Sequence, residues 1–280
     1  MSRIKLPKLE LHAFQREGVG CELPLSAVAK WNPELRAQDE GNSISIFDPI
    51  GSDFFGEGMT AKKMAAAIKE IGNEQITVNI NSPGGDVFEG IAIYNLLRDH
   101  PRKVTVRVIG LAASAASIIA MAGDQIEIAR AGFMMIHNVW VAVVGNRNDL
   151  AAASEMLQPF DDALADVYAT RTKNEKAAIA DLMDKETWFS GTQAVEQGFA
   201  DELLPADQVD SADSGNATKA ALRFAEAAFA KAGVPRAQRR SLIRQLTGTP
   251  SAAETVTPSA DEGVAEFLAA MEKMAAGATH

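Results

Sequence analysis

Apolar positions recur at strand and helix periods along the middle of the chain, between residues 43 and 205. Ser43 to Phe47 alternates and predicts a first strand, followed by the turn Asp48-Pro-Ile-Gly-Ser. Thr60 suits an N-cap, and Met64, Ala65, Ile68 and Ile71 then repeat at helical spacing until Gly72-Asn73 ends the helix. Gln75 to Asn81 predicts a second strand, Ser82-Pro-Gly-Gly a turn, and Val87 to Arg98 an amphipathic helix opened by Asp86, with Glu89 placed for a reciprocal cap. The β-branched run Val104 to Ile109 predicts a central strand, punctuated by Gly110. A stretch of small and aliphatic residues follows, with Ser114 at its start, and predicts the first turn of a buried helix. Gln125–Ile128 and Phe133–Ile136 predict two further short strands. Asn148–Thr172 has helical composition, with Pro159 as a point where the helix would kink or break. Helices over about Asn174–Met183 and Thr192–Gln197, the latter stopped by Gly198, complete the pattern. Strands alternating with helices predict an α/β fold for residues 43–205.

The flanks read differently. Residues 1–42 are mixed, with Pro24 and Pro33 interrupting any long element, and form an N-terminal segment with little assigned structure. Beyond Pro205 the chain is an extension over 206–280. It comprises a polar, acidic linker (Asp207–Thr218), helices at Lys219–Lys231 and Arg236–Leu246, a disordered Pro-, Ser-, Thr- and Ala-rich stretch (Thr247–Asp261) and a last amphipathic helix at Gly263–Met274.

Of the 280 residues 47% are hydrophobic, enough for a substantial core, and the net charge of −10 argues against nucleic acid or an anionic membrane as partner. The single cysteine, Cys21, has no partner for an internal disulfide, which fits a reducing compartment. The start of the chain does not read as a secretory signal, and the uncharged run Val108–Gly123 is shorter than the ~20 residues of a membrane span. A cytoplasmic protein is therefore expected. No phosphate-cradling glycine loop is present, since Gly51–Gly58 lacks the lysine, and neither cofactor nor metal is expected.

Ser114 carries the candidate chemistry. A serine at the junction of a strand and a buried helix sits where free backbone N–H groups and the helix dipole converge, a place that stabilises a developing oxyanion. A serine hydroxyl needs a base. Of the four histidines, His12 and His280 are peripheral and His100 lies at a helix C-terminus, whereas His137 ends the apolar strand Phe133–Ile136. The base needs a carboxylate, and Asp184 and Glu186, both just before Trp188-Phe189, are open candidates. The oxyanion needs two donors, for which the N–H groups of Ala115 and Gly85 are placed.

Four segments in order, Ile80-Asn-Ser-Pro-Gly-Gly85, Gly110-Leu-Ala-Ala-Ser-Ala115, Met135-Ile-His137 and Phe189-Ser through Asp201, resemble the ClpP family of serine peptidases over about residues 43–205. The resemblance implies a ClpP/crotonase-like fold of stacked strand–helix units, peptide-bond hydrolysis by a Ser-His-acid triad, and subunits associated in rings around a chamber. It carries Ser114, His137, Gly85 and Ala115 into their roles. It puts the third triad member at Glu186, where the family usually has Asp, with Asp184 as the alternative. Housekeeping members have Gln-Pro after the histidine, whereas this chain has Asn138-Val139, which implies a different substrate cleft. The extension after Pro205 resembles ClpP-related proteases of phage head assembly, implying capsid or scaffold proteins as substrates. The alternatives are a subunit of an ATP-dependent Clp-type protease with an AAA+ unfoldase, a crotonase-like acyl-thioester enzyme, and an inactive scaffold.

Overall fold

The computed structural model describes residues 6–7, 9, 20–21, 23–33, 35–37, 41–51, 58–205, 209–211, 217–234, 238–239 and 241–243. Two compact units are distinguished, Met1–Ala227 and Ala228–His280, and among the described residues the strands belong to the first. The expected disordered stretch Thr247–Asp261 and the expected helix Gly263–Met274 lie outside the described residues, as do parts of the linker Asp207–Thr218 and of the helix Arg236–Leu246.

In chain order the elements are β1 (Gly20–Cys21), α1 (Leu25–Lys30), β2 (Leu35–Ala37), β3 (Ser43–Ile46), α2 (Ala61–Ile71), β4 (Ile76–Ser82), α3 (Val87–Asp99), β5 (Val104–Ala113) and α4 (Ala115–Ala120). They continue with β6 (Gln125–Ala129), β7 (Phe133–Ile136), β8 (Val141–Ala142), α5 (Arg147–Thr172), α6 (Lys176–Asp184), β9 (Thr187–Ser190), α7 (Gly191–Glu196), β10 (Glu202–Leu204), β11 (Val209–Ser211) and α8 (Ala217–Lys231).

The main sheet runs β10-β6-β5-β4-β3, with every one of these neighbours parallel. Successive parallel strands need crossovers, which α2 and α3 supply. Ile44, Ile46, Val78, Ile80, Val106, Val108, Ile126 and Ile128 are buried in one core with Met64, Ile91, Tyr94 and Ile119 from the helices. The sheet forks at β5. Its first half, Thr105–Val108, lies beside β6, and its second, Leu111–Ala113, lies parallel to β7, which in turn pairs antiparallel with β9.

Gly110 does not end the strand as the sequence suggested, for β5 runs through it to Ala113. A Cβ at this position would come within 2.6 Å of Asn81 Oδ1 and 2.7 Å of Leu35 Cδ1. This glycine therefore permits close approach. Asn81 Oδ1 in turn accepts the Leu111 N–H at 3.2 Å. Pro159 likewise does not interrupt α5, which is continuous from Arg147 to Thr172. Glu155 and Pro159 are both exposed, so the carbonyl deprived of its helical partner meets water.

The N-terminal segment has more structure than its sequence disclosed. Trp31, just after α1, is buried against Ala27, Leu111, Ala113 and Met135, with Trp188 packed alongside, and its indole N–H donates to Asn81 O at 2.9 Å. Earlier, the backbone of Leu9 exchanges two hydrogen bonds with the Asn95 side chain, and β1 pairs antiparallel with β8. Asp86 caps α3 as expected, accepting from the N–H groups of Phe88 and Glu89. The reciprocal half of the cap is absent: Glu89 Oε2 accepts instead from Ala61 N at 2.6 Å, at the head of α2, and the Asp86 N–H donates to Ile50 O.

Candidate active site

Strand β5 delivers Ser114 into the turn that opens α4. Its φ of 53° and ψ of −126° are unusual for a side chain with a Cβ, a strained conformation of the kind found at functional turns. The surroundings hold it there. Ser114 N–H donates to Met135 O at 3.0 Å, extending the β5–β7 ladder by one residue. Ser114 O accepts from Ser117 N at 2.9 Å and from Ser117 Oγ at 2.7 Å. Ser117 Oγ also meets the Tyr168 hydroxyl of α5 at 2.7 Å, a group whose pKa burial pushes upward.

His137 is the residue after β7. Because Met135 is fixed to Ser114, the histidine two residues on reaches the same place, and its Nε2 lies 2.7 Å from Ser114 Oγ. Burial moves the imidazole pKa below its usual value, and the nearby Glu186 carboxylate opposes that shift. The antiparallel register sets Ile136 opposite Thr187, so one step further along the ladder brings His137 to Glu186. Glu186 is exposed, with a φ of 49°, and its Oε1 accepts from the Trp188 indole N–H at 3.4 Å. Asp184 is engaged elsewhere: its Oδ1 accepts from Asn138 Nδ2 at 2.6 Å.

The Ser82-Pro-Gly-Gly turn forms the opposite wall. Gly85 bridges Ile50 in the parallel sense through Gly84 O and Asp86 N, which turns its own N–H away from Ile50. Gly85, Ser114, Ala115, His137 and Val139 line one cleft with Leu164 and Tyr168 of α5. Ala115 is the first residue of α4, so its N–H has no carbonyl to bond within the helix. The structure thus brings Ser114, His137, Gly85 and Ala115 to one cleft, with Asp184 bonded to Asn138 of its lining and Glu186 one residue before the strand paired with β7. Leu164, Tyr168 and Asp161, the last of which accepts the Val139 N–H, carry no signal in the residue pattern. All three stand on a helix whose composition carries no mark of the site. Among the described residues no group of three or more His, Cys, Asp or Glu side chains is arranged to hold a metal ion.

Gly84 has a φ of 89°, and a Cβ added there would stand 2.5 Å from Ala113 O and 2.7 Å from Ser114 Cβ. Gly84→Ala should therefore strain the turn and displace the serine. The backbone conformation alone predicts a loss of about 1–3 kcal/mol in stability, measurable as a lower denaturant midpoint.

A family model described as Clp protease matches residues 39–207. An ATP-dependent Clp protease proteolytic subunit 3 of Rhodococcus jostii is 30% identical over 132 residues, 46% of this chain and 65% of that protein. A proteolytic subunit 1 of Chlamydia muridarum is 30% identical over 163 residues, 54% of this chain and 84% of that protein. Among solved structures, a mutant of ClpP1 from Listeria monocytogenes is similar in fold, with a TM-score of 0.50 and 21% identity over 60% of this chain and 94% of that one.

Proposed function

The chain belongs to the Clp protease family as a ClpP-like serine peptidase, and from that premise we propose that Ser114, His137 and Glu186 are its catalytic triad. The observation that carries this reading is the 2.7 Å approach of His137 Nε2 to Ser114 Oγ, in the cleft that Gly85 and Ala115 also line. In the reaction Ser114 Oγ attacks the carbonyl carbon of a peptide bond while His137 Nε2 takes its proton. The backbone N–H groups of Gly85 and Ala115 stabilise the oxyanion, His137 returns the proton to the departing amine, and a water deprotonated by the same imidazole then releases the acyl group from Ser114 as the carboxylic acid. Glu186 steadies the imidazolium. It is preferred to Asp184 because the ladder leads to it and because its charge acts on His137, whereas Asp184 is bonded to Asn138.

The biological setting proposed is processing of capsid or scaffold proteins during phage head assembly. Support comes from the chain beyond the family match, which ends at residue 207 and is followed by β11 and α8. The relatives are named as proteolytic subunits of ATP-dependent proteases, which favours a second setting, degradation together with an AAA+ unfoldase. Self-association fits either one. Val144, in the connection from the cleft to α5, is 99% exposed and Leu150, in the first turn of α5, is half exposed, an apolar pair that a second copy would cover.

Two measurements test the reading. A fluorophosphonate should label Ser114 covalently, and an unlabelled serine in a folded protein would count against the triad and for a non-hydrolytic role. Cleavage of a co-expressed capsid or scaffold protein without nucleotide supports head maturation, whereas cleavage only with an unfoldase and ATP assigns the chain to degradation.

A further inference from the structure

One carboxylate beside the cleft is not used by the mechanism above. Asp161 lies on α5, fourteen residues after its start at Arg147, and its Oδ1 accepts the backbone N–H of Val139 at 2.6 Å. Val139 is two residues beyond His137 and lines the cleft with Asn138 and Trp140. On either side of Asp161 the same helix grips the other parts of the site. Phe160 meets Phe88 of α3 edge to face, with centroids 5.4 Å apart and planes at 87°, and α3 begins just after the Gly84-Gly85 turn. Leu164 and Tyr168 follow on α5 and line the cleft. The helix is anchored further along by Arg171, which is buried, donates to Gly123 O at 3.0 Å and pairs with Asp201. Residues 160–171 therefore form a rigid spine, and Asp161 is its attachment to the wall that carries the base.

We infer that Asp161 is a positioning residue for the peptidase reaction, holding the segment His137–Trp140 straight so that an extended peptide can lie along it. The inference rests on the proposed peptidase function. A valine in this segment, unlike a proline, has an N–H that must find an acceptor in a buried place, and Asp161 supplies it. Without that acceptor the wall loses its tether to α5. The second carboxylate near it, Asp184, accepts from the Asn138 side chain of the same segment at 2.6 Å. The carboxylate tether has a cost of its own. Burial raises the Asp161 pKa, as do the charges of Asp184 and Asp162, and the Val139 N–H opposes the rise.

The test compares a small reagent, which needs only the nucleophile and its base, with a substrate that needs the wall. Full-length protein and the variants Asp161→Ala and Asp161→Asn are assayed for fluorophosphonate labelling and for hydrolysis of an extended fluorogenic peptide. Asp161→Ala should raise KM for the peptide by about tenfold, the effect of one lost hydrogen bond to a charged group, while labelling stays within about twofold of the parent. Asp161→Asn should restore KM, because its amide oxygen still accepts from Val139. Asp161→Ser, whose hydroxyl is too short to reach, should behave as alanine and replaces it if the alanine variant does not fold. An unchanged KM, an equal loss in the alanine and asparagine variants, or a parallel loss of labelling and hydrolysis overturns the inference. A parent protein that neither labels nor hydrolyses overturns the peptidase reading itself.

Discussion

Ser114→Ala should lower peptide hydrolysis by roughly 10⁴–10⁶-fold and abolish fluorophosphonate labelling, with the melting temperature preserved or raised. The loss is large because triad members act as a unit, so removing the nucleophile leaves His137 with nothing to activate. What remains comes from the oxyanion donors and from binding. Fold retention follows from the contacts at this position. The bonds that place Ser114 in the turn run through its backbone N–H and O, to Met135 and Ser117, and an alanine keeps them. Alanine also adopts the same φ of 53° no worse than serine does. Hydrolysis and labelling, read side by side with a melting curve, check the prediction. A variant with undiminished hydrolysis would end the case for a serine nucleophile.

Glu186→Gln should reduce kcat/KM by about 10²–10³-fold and also displace its pH profile. The sign follows from His137. Only the neutral imidazole accepts the serine proton, so activity rises with pH through the histidine pKa. Burial holds that pKa below its ordinary value of about 6.5, and the acid limb of the parent should lie correspondingly low. Glu186 is the charge that pulls the value back up. Removing it should move the limb further toward acid even as the plateau falls. Asp184→Asn should leave the limb where it is, since that carboxylate serves Asn138. A silent Glu186→Gln beside a damaging Asp184→Asn would transfer the third role to Asp184.

The legible parts of this chain were those in which local pattern and chemistry coincide. Strands β4 to β7 are β-branched or apolar runs between turn residues, and the glycines at 84 and 85 announce a turn whose backbone must do something particular. Serine and histidine stood out because each ends a buried strand. Gly110 misled for a physical reason: a glycine admitting close contact from Asn81 and Leu35 looks in sequence like one that stops a strand. At Pro159 the break did not follow, because the carbonyl it orphans, on the exposed side of the helix, can accept from solvent. The wall of the cleft was invisible. Asp161, Leu164 and Tyr168 are ordinary helix residues, and only the long-range packing of α5 onto α3 and the segment after β7 gives them their places. Trp31 was equally silent, because a tryptophan after a six-residue helix gains meaning only from the strand it covers.

The hydrogen bond from Ser114 N to Met135 O has a mechanical consequence. Nucleophile and base ride on neighbouring ribbons stitched together at that point, so a push on β7 from outside carries both along and their spacing survives. Glu186 is held less directly, one residue before Thr187, where the β9 ladder with β7 ends. It stands at the bend between α6 and β9, exposed, with a left-handed backbone. Any contact that modulates this protein from its surface would therefore be felt in the acid's alignment, leaving the serine and its imidazole in step.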